Sequence, residues 1–192
     1  MNLPNYITLS RVALIPIFVI VFYLPYNWSY SGAAIIFALA GITDWIDGYL
    51  ARKLDQTTPF GAFLDPVADK LMVVTAIILL VGIHPTALFA IPAAIIAGRE
   101  IVVSALREWM AELGKRANVA VSQIGKIKTA AQMGAITLFL IDNPHTGLDL
   151  GMVSYTLLYS ATALTLWSML IYLKAALPLL LADEQNDENT DA

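Results

Sequence analysis

Five aspartates lie within one short stretch of this sequence, DWIDGYLARKLDQTTPFGAFLDPVADK, at residues 44–70, and four of them form two regularly spaced pairs. Asp44 and Asp47 are three residues apart, a spacing that places both on one face of a helix. Asp65 and Asp69 are four residues apart, which has the same effect. Carboxylates gathered in a low-dielectric layer repel one another unless cations neutralise them. Carboxylate oxygens suit Mg²⁺, Mn²⁺ and Ca²⁺, so this stretch predicts a divalent-metal site.

Small residues and an arginine accompany these aspartates. Gly48 directly follows Asp47, and Gly61 precedes Asp65 by four residues. A missing Cβ lets a ligand or a second backbone approach closely. Arg52 lies four residues beyond Gly48 and can bind a phosphate through two parallel N–H groups. The combination indicates a pyrophosphate-containing ligand that is bound through metal.

The elements that must hold these residues are membrane helices. The chain of 192 residues is 58% hydrophobic and only 14% charged, whereas soluble domains are typically about 45–50% apolar and about 25% charged. A membrane span needs about 20 mostly apolar residues. We therefore predict an all-α integral membrane bundle of six transmembrane helices, with one domain at 1–182 and an acidic, disordered tail at 183–192. The predicted spans are residues 6–25, 31–53, 62–82, 86–108, 119–141 and 150–174.

Lysine and arginine set the predicted orientation. The connections 25–31, 82–86 and 142–150 contain neither residue type, whereas Arg52 and Lys53 lie between the second and third spans. Further basic residues lie between or near the ends of the fourth and fifth spans: Arg107, Lys115, Arg116, Lys126 and Lys128. Because cytoplasmic loops carry the excess of positive charge, both termini and the aspartate stretch are predicted to face the cytoplasm.

The spacing of the whole stretch resembles a known family signature. The pattern D-x2-D-G-x2-A-R-x8-G-x3-D-x3-D, running from Asp44 to Asp69, resembles the complete motif of the CDP-alcohol phosphotransferases. The resemblance implies six transmembrane helices, a homodimer and an active site open to the cytoplasm. It also implies transfer of a substituted phosphate from a CDP-linked donor to an alcohol, with release of CMP.

The same resemblance implies roles for individual residues. Asp44, Asp47 and Asp65 would hold one Mg²⁺. Asp44, Asp65 and Asp69 would hold a second, with Mn²⁺ as an alternative metal. Asp69 would also be the general base that takes the proton of the acceptor hydroxyl. The residues expected to contact the CDP-linked donor are Asn5, Thr8, Gly48, Ala51, Arg52, Thr58 and Gly61.

Basic residues in the second half of the chain indicate a phosphorylated acceptor. Residues 98–133 resemble the bacterial branch of the family that makes phosphatidylglycerol phosphate. This implies CDP-diacylglycerol as donor and sn-glycerol 3-phosphate as acceptor. The expected acceptor pocket contains Arg99, Arg107, Lys126 and Lys128. The alternative for Arg99 is an ion pair with Glu100 or Asp69. For Arg107, as for Lys115 and Arg116, it is a positive-inside signal and contact with lipid headgroups.

Two other functions remain open at this point. One is the same chemistry with another acceptor, such as phosphatidylglycerol, inositol phosphate or serine. The other is divalent-cation transport, although transporters usually place their sites near the midplane and often contain repeats. The resemblance favours a multi-pass enzyme of the bacterial inner membrane that meets membrane lipid and no nucleic acid.

Overall fold

Six helices account for nearly all of the chain that can be described. A computed structural model describes residues 3–54, 59–112, 123–142 and 149–188. Within these ranges there is no β-strand, which confirms the all-α prediction. The helices are α1 Leu3–Phe22, α2 Ser29–Leu54, α3 Pro59–Ile83, α4 Ala87–Glu112, α5 Gln123–Ile141 and α6 Gly151–Glu188. That all six cross a membrane, and that both termini face the cytoplasm, stay predictions.

The break between α3 and α4 follows from its sequence. α3 ends at Ile83 and α4 begins at Ala87, so the connection contains His84 and Pro85. A proline disfavours helical geometry in the residue before it and has no N–H to continue the helical hydrogen bonds. The predicted connection at 82–86 therefore agrees with the structure to within a residue.

The last helix is longer than predicted. α6 comprises 38 residues and continues to Glu188, whereas the predicted span stops at residue 174. The added segment contains three Ala, four Leu and two Glu, which favour helix, and each residue added to an existing helix contributes one more hydrogen bond. Residues 183–188 belong to this helix, and the division of the chain into a domain at 1–182 and a tail at 183–192 stays a prediction. Residues 189–192 lie outside the described ranges.

The helices pack around a core of aromatic and small residues. α1 lies against α2 and α3, α5 lies along α6 and α2, and α4 contacts α3 and α6. The ring centroids of Phe18 and Phe37 are 6.1 Å apart, which joins α1 to α2. The ring of Phe139 lies edge-on to those of Phe89 and Tyr155, at 4.9 and 5.0 Å, which joins α4, α5 and α6.

Large apolar side chains cover the outside of the bundle. Ile78, Ile101 and Met152 are among those that point outward, and Met152 is 85% exposed. Such an apolar exterior is what a lipid-facing surface requires. By length and composition, Ala87–Met110 and Gly151–Lys174 are suited to cross a membrane. The shorter apolar helices in the described residues are Leu9–Phe22, Ser29–Thr43 and Ile127–Ile141.

A histidine in the α3–α4 connection makes the stability of the fold depend on pH. The His84 ring lies against Phe89 and Phe139, with centroids 5.6 and 5.3 Å away. Burial lowers the pKa of His84 below its usual 6.5, and the negative charge of Asp142 opposes this in part. The unfolded chain therefore binds more protons as the pH falls through that value, and the fold loses stability.

We expect the thermal midpoint of the detergent-solubilised protein to be lower at pH 5.5 than at pH 7.5. A His84→Gln variant should lose part of that difference, because glutamine does not titrate. The check is a pair of unfolding scans on each protein. If the thermal midpoint depended on pH identically in both proteins, His84 would not contribute to the pH dependence of stability.

Candidate active site

An ion pair connects α1 and α3 at the centre of the candidate site. The Asp69 carboxylate accepts a hydrogen bond from Nη1 of Arg11, 58 residues away in the sequence. The Arg11 side chain is only 3% exposed, whereas that of Asp69 is 44% exposed. Asp69 is therefore held from the inner side by a buried guanidinium while part of its carboxylate still faces solvent.

Arg11 was missed by the sequence reasoning, although a signal was present. It lies inside the first apolar segment, and an ionisable residue in such a segment points to a functional role by default. The spacing gives a second clue, because Arg11 is three residues after Thr8 and shares its helix face. Thr8 was itself predicted to contact the donor.

The other predicted metal and donor residues are placed only by their helices. Their helices are described, but their side chains lie outside the described part of the structure. α1 contains Asn5 and Thr8, α2 contains Asp44, Asp47, Gly48, Ala51 and Arg52, and α3 contains Gly61 and Asp65. Thr58 lies outside the described residues altogether. α2 and α3 contact each other, as a hairpin carrying both aspartate pairs requires.

A second polar contact brings α4 next to this part of α3. Lys70, which follows Asp69, donates a hydrogen bond from Nζ to Oγ of Ser104. Ser104 is four residues beyond Glu100 on α4, which corresponds to a rise of about 6 Å along a helix. The contact therefore links α4, near the cluster around Glu100, to the residue that directly follows Asp69.

Two predicted acceptor residues meet at a single partly buried carboxylate. Glu100 Oε1 accepts hydrogen bonds from Arg99 Nη1 at 3.0 Å and from Lys128 Nζ at 2.9 Å. Arg99 Nη2 also donates to Ser168 Oγ of α6, at 3.3 Å. The structure thus brings Arg99 and Lys128 together from α4 and α5. The alternative pairing of Arg99 with Glu100 is confirmed, whereas binding of the acceptor by Arg99 and Lys128 stays a prediction. The side chains of Arg107 and Lys126 lie outside the described part.

Several buried polar atoms beside this cluster have no hydrogen-bond partner among the described residues. They are Arg99 Nε, Gln132 Oε1 and Thr165 Oγ1. Gln132 is one helical turn from Lys128 on α5, and Thr165 is three residues before Ser168 on α6. Because an unsatisfied buried polar atom costs about 1–3 kcal/mol, bound water or a polar ligand is expected at such positions.

Comparison with known proteins identifies the family. The profile of the family described as CDP-alcohol phosphatidyltransferase matches residues 1–167, which include all the predicted metal and donor residues. The chain belongs to the CDP-alcohol phosphatidyltransferase family. The family resemblance predicted from the aspartate stretch is therefore confirmed.

Curated CDP-alcohol phosphatidyltransferases resemble the chain over nearly its whole length. A protein of Pseudomonas fluorescens is 57% identical over 188 residues, which cover 97% of this chain and 96% of the relative. One of Yersinia enterocolitica is 53% identical, covering 92% and 95%, and one of Shigella flexneri is 54% identical, covering 91% and 94%. All three are named CDP-diacylglycerol–glycerol-3-phosphate 3-phosphatidyltransferase.

The donor set of this CDP-alcohol phosphatidyltransferase fits a hard divalent cation. Members of the family generally use divalent metal ions. Asp69 offers carboxylate oxygens that are partly open to solvent, and carboxylate oxygen is the ligand type that Mg²⁺ prefers. Asp65 lies one turn before it on α3, and Asp44 and Asp47 belong to the adjacent α2. The residues present are therefore compatible with the predicted metal site.

Proposed function

We propose that this chain transfers the phosphatidyl group of CDP-diacylglycerol to sn-glycerol 3-phosphate, giving phosphatidylglycerol phosphate and CMP. The observation that carries the proposal is the printed name of the curated relatives, which match 91–97% of the chain at 53–57% identity. The structure adds support, because Asp69 is partly exposed and the next residue, Lys70, contacts Ser104, four residues beyond Glu100 on α4.

The proposed reaction is a displacement at the phosphorus that bears the diacylglycerol. The acceptor hydroxyl loses its proton to the Asp69 carboxylate as its oxygen forms the new P–O bond. The bond from that phosphorus to the bridging oxygen of the pyrophosphate breaks, and its electron pair leaves with CMP. Arg11 holds Asp69 from the buried side, which fixes the direction from which the carboxylate meets the hydroxyl.

Asp44, Asp47, Asp65 and Asp69 would hold the divalent metals, with Mg²⁺ as the expected ion. When bound, two such ions supply neutralisation of the pyrophosphate charge and of the charge that develops on the leaving CMP. Asn5, Thr8, Gly48, Ala51, Arg52, Thr58 and Gly61 are proposed to contact the donor. The site would face the cytoplasm at a bacterial inner membrane, and the acyl chains of the donor would stay in the bilayer. The chain is proposed to form a homodimer.

The proposed acceptor site is the cationic cluster between α4, α5 and α6. Arg99 and Lys128 are largely buried, and each keeps N–H donors that Glu100 does not use. Arg107 and Lys126 are proposed to complete the phosphate contacts.

Acceptor-by-acceptor assays test the proposed function. Purified protein with CDP-diacylglycerol and Mg²⁺ is expected to release CMP with sn-glycerol 3-phosphate and at least tenfold more slowly with inositol phosphate, serine or phosphatidylglycerol. The control omits the acceptor, so that hydrolysis of the donor is subtracted. CMP release with a different alcohol alone would overturn the acceptor assignment. Absence of release with every acceptor would overturn the enzyme assignment.

A further inference from the structure

Glu100 occupies a central position that the reaction itself does not explain. Its side chain is 16% exposed and lies between two cations that are still more buried, Arg99 at 13% and Lys128 at 5%. Through Lys128 it connects α4 to α5, and through Arg99 it connects indirectly to Ser168 of α6. One carboxylate therefore sets the relative position of cationic groups that come from two helices.

The charges of this cluster do not cancel. Two cations and one carboxylate leave a net charge of +1 in a poorly solvated site, and removing ions from water costs several kcal/mol each. Glu100 offsets part of that cost and uses one donor of each cation. Arg99 Nε is buried and makes no hydrogen bond to the described residues, and the ammonium of Lys128 has two further donors. The cluster is thus both fixed and still able to bind an anion.

We propose that Glu100 is a positioning residue of the acceptor site. It holds Arg99 and Lys128 so that their remaining donors converge on the phosphate of the acceptor, and it limits the positive charge of the empty pocket. The inference rests on the proposed function, because it assigns the anion in this pocket to the acceptor. Glu100 takes no part in bond making or breaking.

A purely structural role for Glu100 predicts a different result. If the carboxylate only tied α4 to α5, its loss would lower folding stability, and kinetic effects would reach both substrates alike. A positioning role acts on one substrate alone. The kinetic constants for the acceptor would change, while those for CDP-diacylglycerol would not, because the donor residues lie on α1, α2 and α3 and in the connection between α2 and α3.

The decisive variant is Glu100→Gln, which keeps the size of the side chain and an accepting oxygen but removes the charge. We expect KM for glycerol 3-phosphate to rise about tenfold, the order typical when an ionised hydrogen-bond partner becomes neutral. KM for CDP-diacylglycerol and the rate at saturating acceptor should stay within about twofold of the wild type. Glu108→Gln, an exposed glutamate on the same helix, is the matched control and should leave every constant unchanged.

Two further measurements separate a positioning role of Glu100 from a purely structural one. Glycerol 3-phosphate should raise the thermal midpoint of the wild type clearly more than that of Glu100→Gln, which reports binding without turnover. In a double-mutant cycle with Lys128→Met, the Glu100→Gln change should raise KM by a smaller factor than it does in the wild type, because part of its effect acts through the lysine. Equal changes for both substrates, a lower KM for the acceptor, or a variant that does not fold would overturn the positioning role. Wild-type activity with glycerol 3-phosphate is measured in the same series, so a failure of the proposed function is seen separately.

Discussion

Replacing Asp69 by asparagine is expected to lower kcat by about 10²- to 10⁴-fold, the usual contribution of a positioned acid–base group. Asparagine has nearly the same size and still offers an accepting oxygen, but it cannot take the proton of the attacking hydroxyl. KM for the two substrates should change far less than kcat. The measurement is CMP release at saturating donor and acceptor, expressed per folded protein.

Asp69 has two expected roles, so the variant must also be tested for metal binding and folding. Calorimetric titration with Mn²⁺ separates the roles, because retained binding with lost turnover favours the base, and loss of both favours the metal ligand. The variant replaces an ionised partner of the Arg11 guanidinium by a neutral one, which will lower the thermal midpoint. Since Asp69 is 44% exposed, the loss should be smaller than the roughly 3–5 kcal/mol typical of fully buried pairs.

Asp149, an exposed aspartate two residues before α6, provides the control for this experiment. Asp149→Asn removes a carboxylate of the same type outside the candidate site and should leave kcat unchanged. A variant at position 69 that keeps more than a tenth of the wild-type kcat would contradict the assignment of Asp69 as general base.

Replacing Lys128 by methionine is expected to raise KM for glycerol 3-phosphate by about 10- to 100-fold. A hydrogen bond to a charged group contributes about 1.5–3 kcal/mol, and about 1.4 kcal/mol corresponds to a factor of ten. Methionine keeps most of the length and apolar contact of the lysine stem, and Glu100 retains its partner Arg99 at 3.0 Å. The measurement is the initial rate of CMP release over a series of acceptor concentrations.

Lys174→Met is the matched control, because Lys174 is an exposed lysine on α6. It should leave both Michaelis constants unchanged. KM for CDP-diacylglycerol should also be unchanged by Lys128→Met, since the lysine is proposed to bind only the acceptor. If KM for glycerol 3-phosphate did not move in the Lys128 variant, the cationic cluster would have to be assigned a purely structural role.

Local sequence signals predicted the elements of this fold well. The α3–α4 break could be predicted because its proline acts on its immediate neighbours. The end of α6 cannot be predicted from the onset of charge, because Glu and Gln continue a helix nearly as well as Leu. The number of spans rests on apolar length alone and stays a prediction.

The site was predictable where its residues are close in sequence and not where they meet across the fold. The fixed spacing of the aspartate stretch identified Asp69 as a site residue. The Arg99–Glu100 ion pair could be predicted because the two residues are neighbours in the sequence. Arg11 was visible only as a cation in an apolar helix, and nothing local indicates that its partner lies 58 residues ahead. In the same way, the contact of Lys128 with Glu100 depends on α4 and α5 being brought together.

The contact between Arg11 and Asp69 has a consequence for biogenesis. On the predicted topology, the first helix would enter the bilayer with the charge of Arg11 before the ribosome has made Asp69. The docking of α1 on α3 would therefore be completed only after the third helix has been made. Formation of the Arg11–Asp69 contact would then both hold the N-terminal helix and position the proposed base. A chain whose first helix inserts wrongly is therefore expected to be inactive.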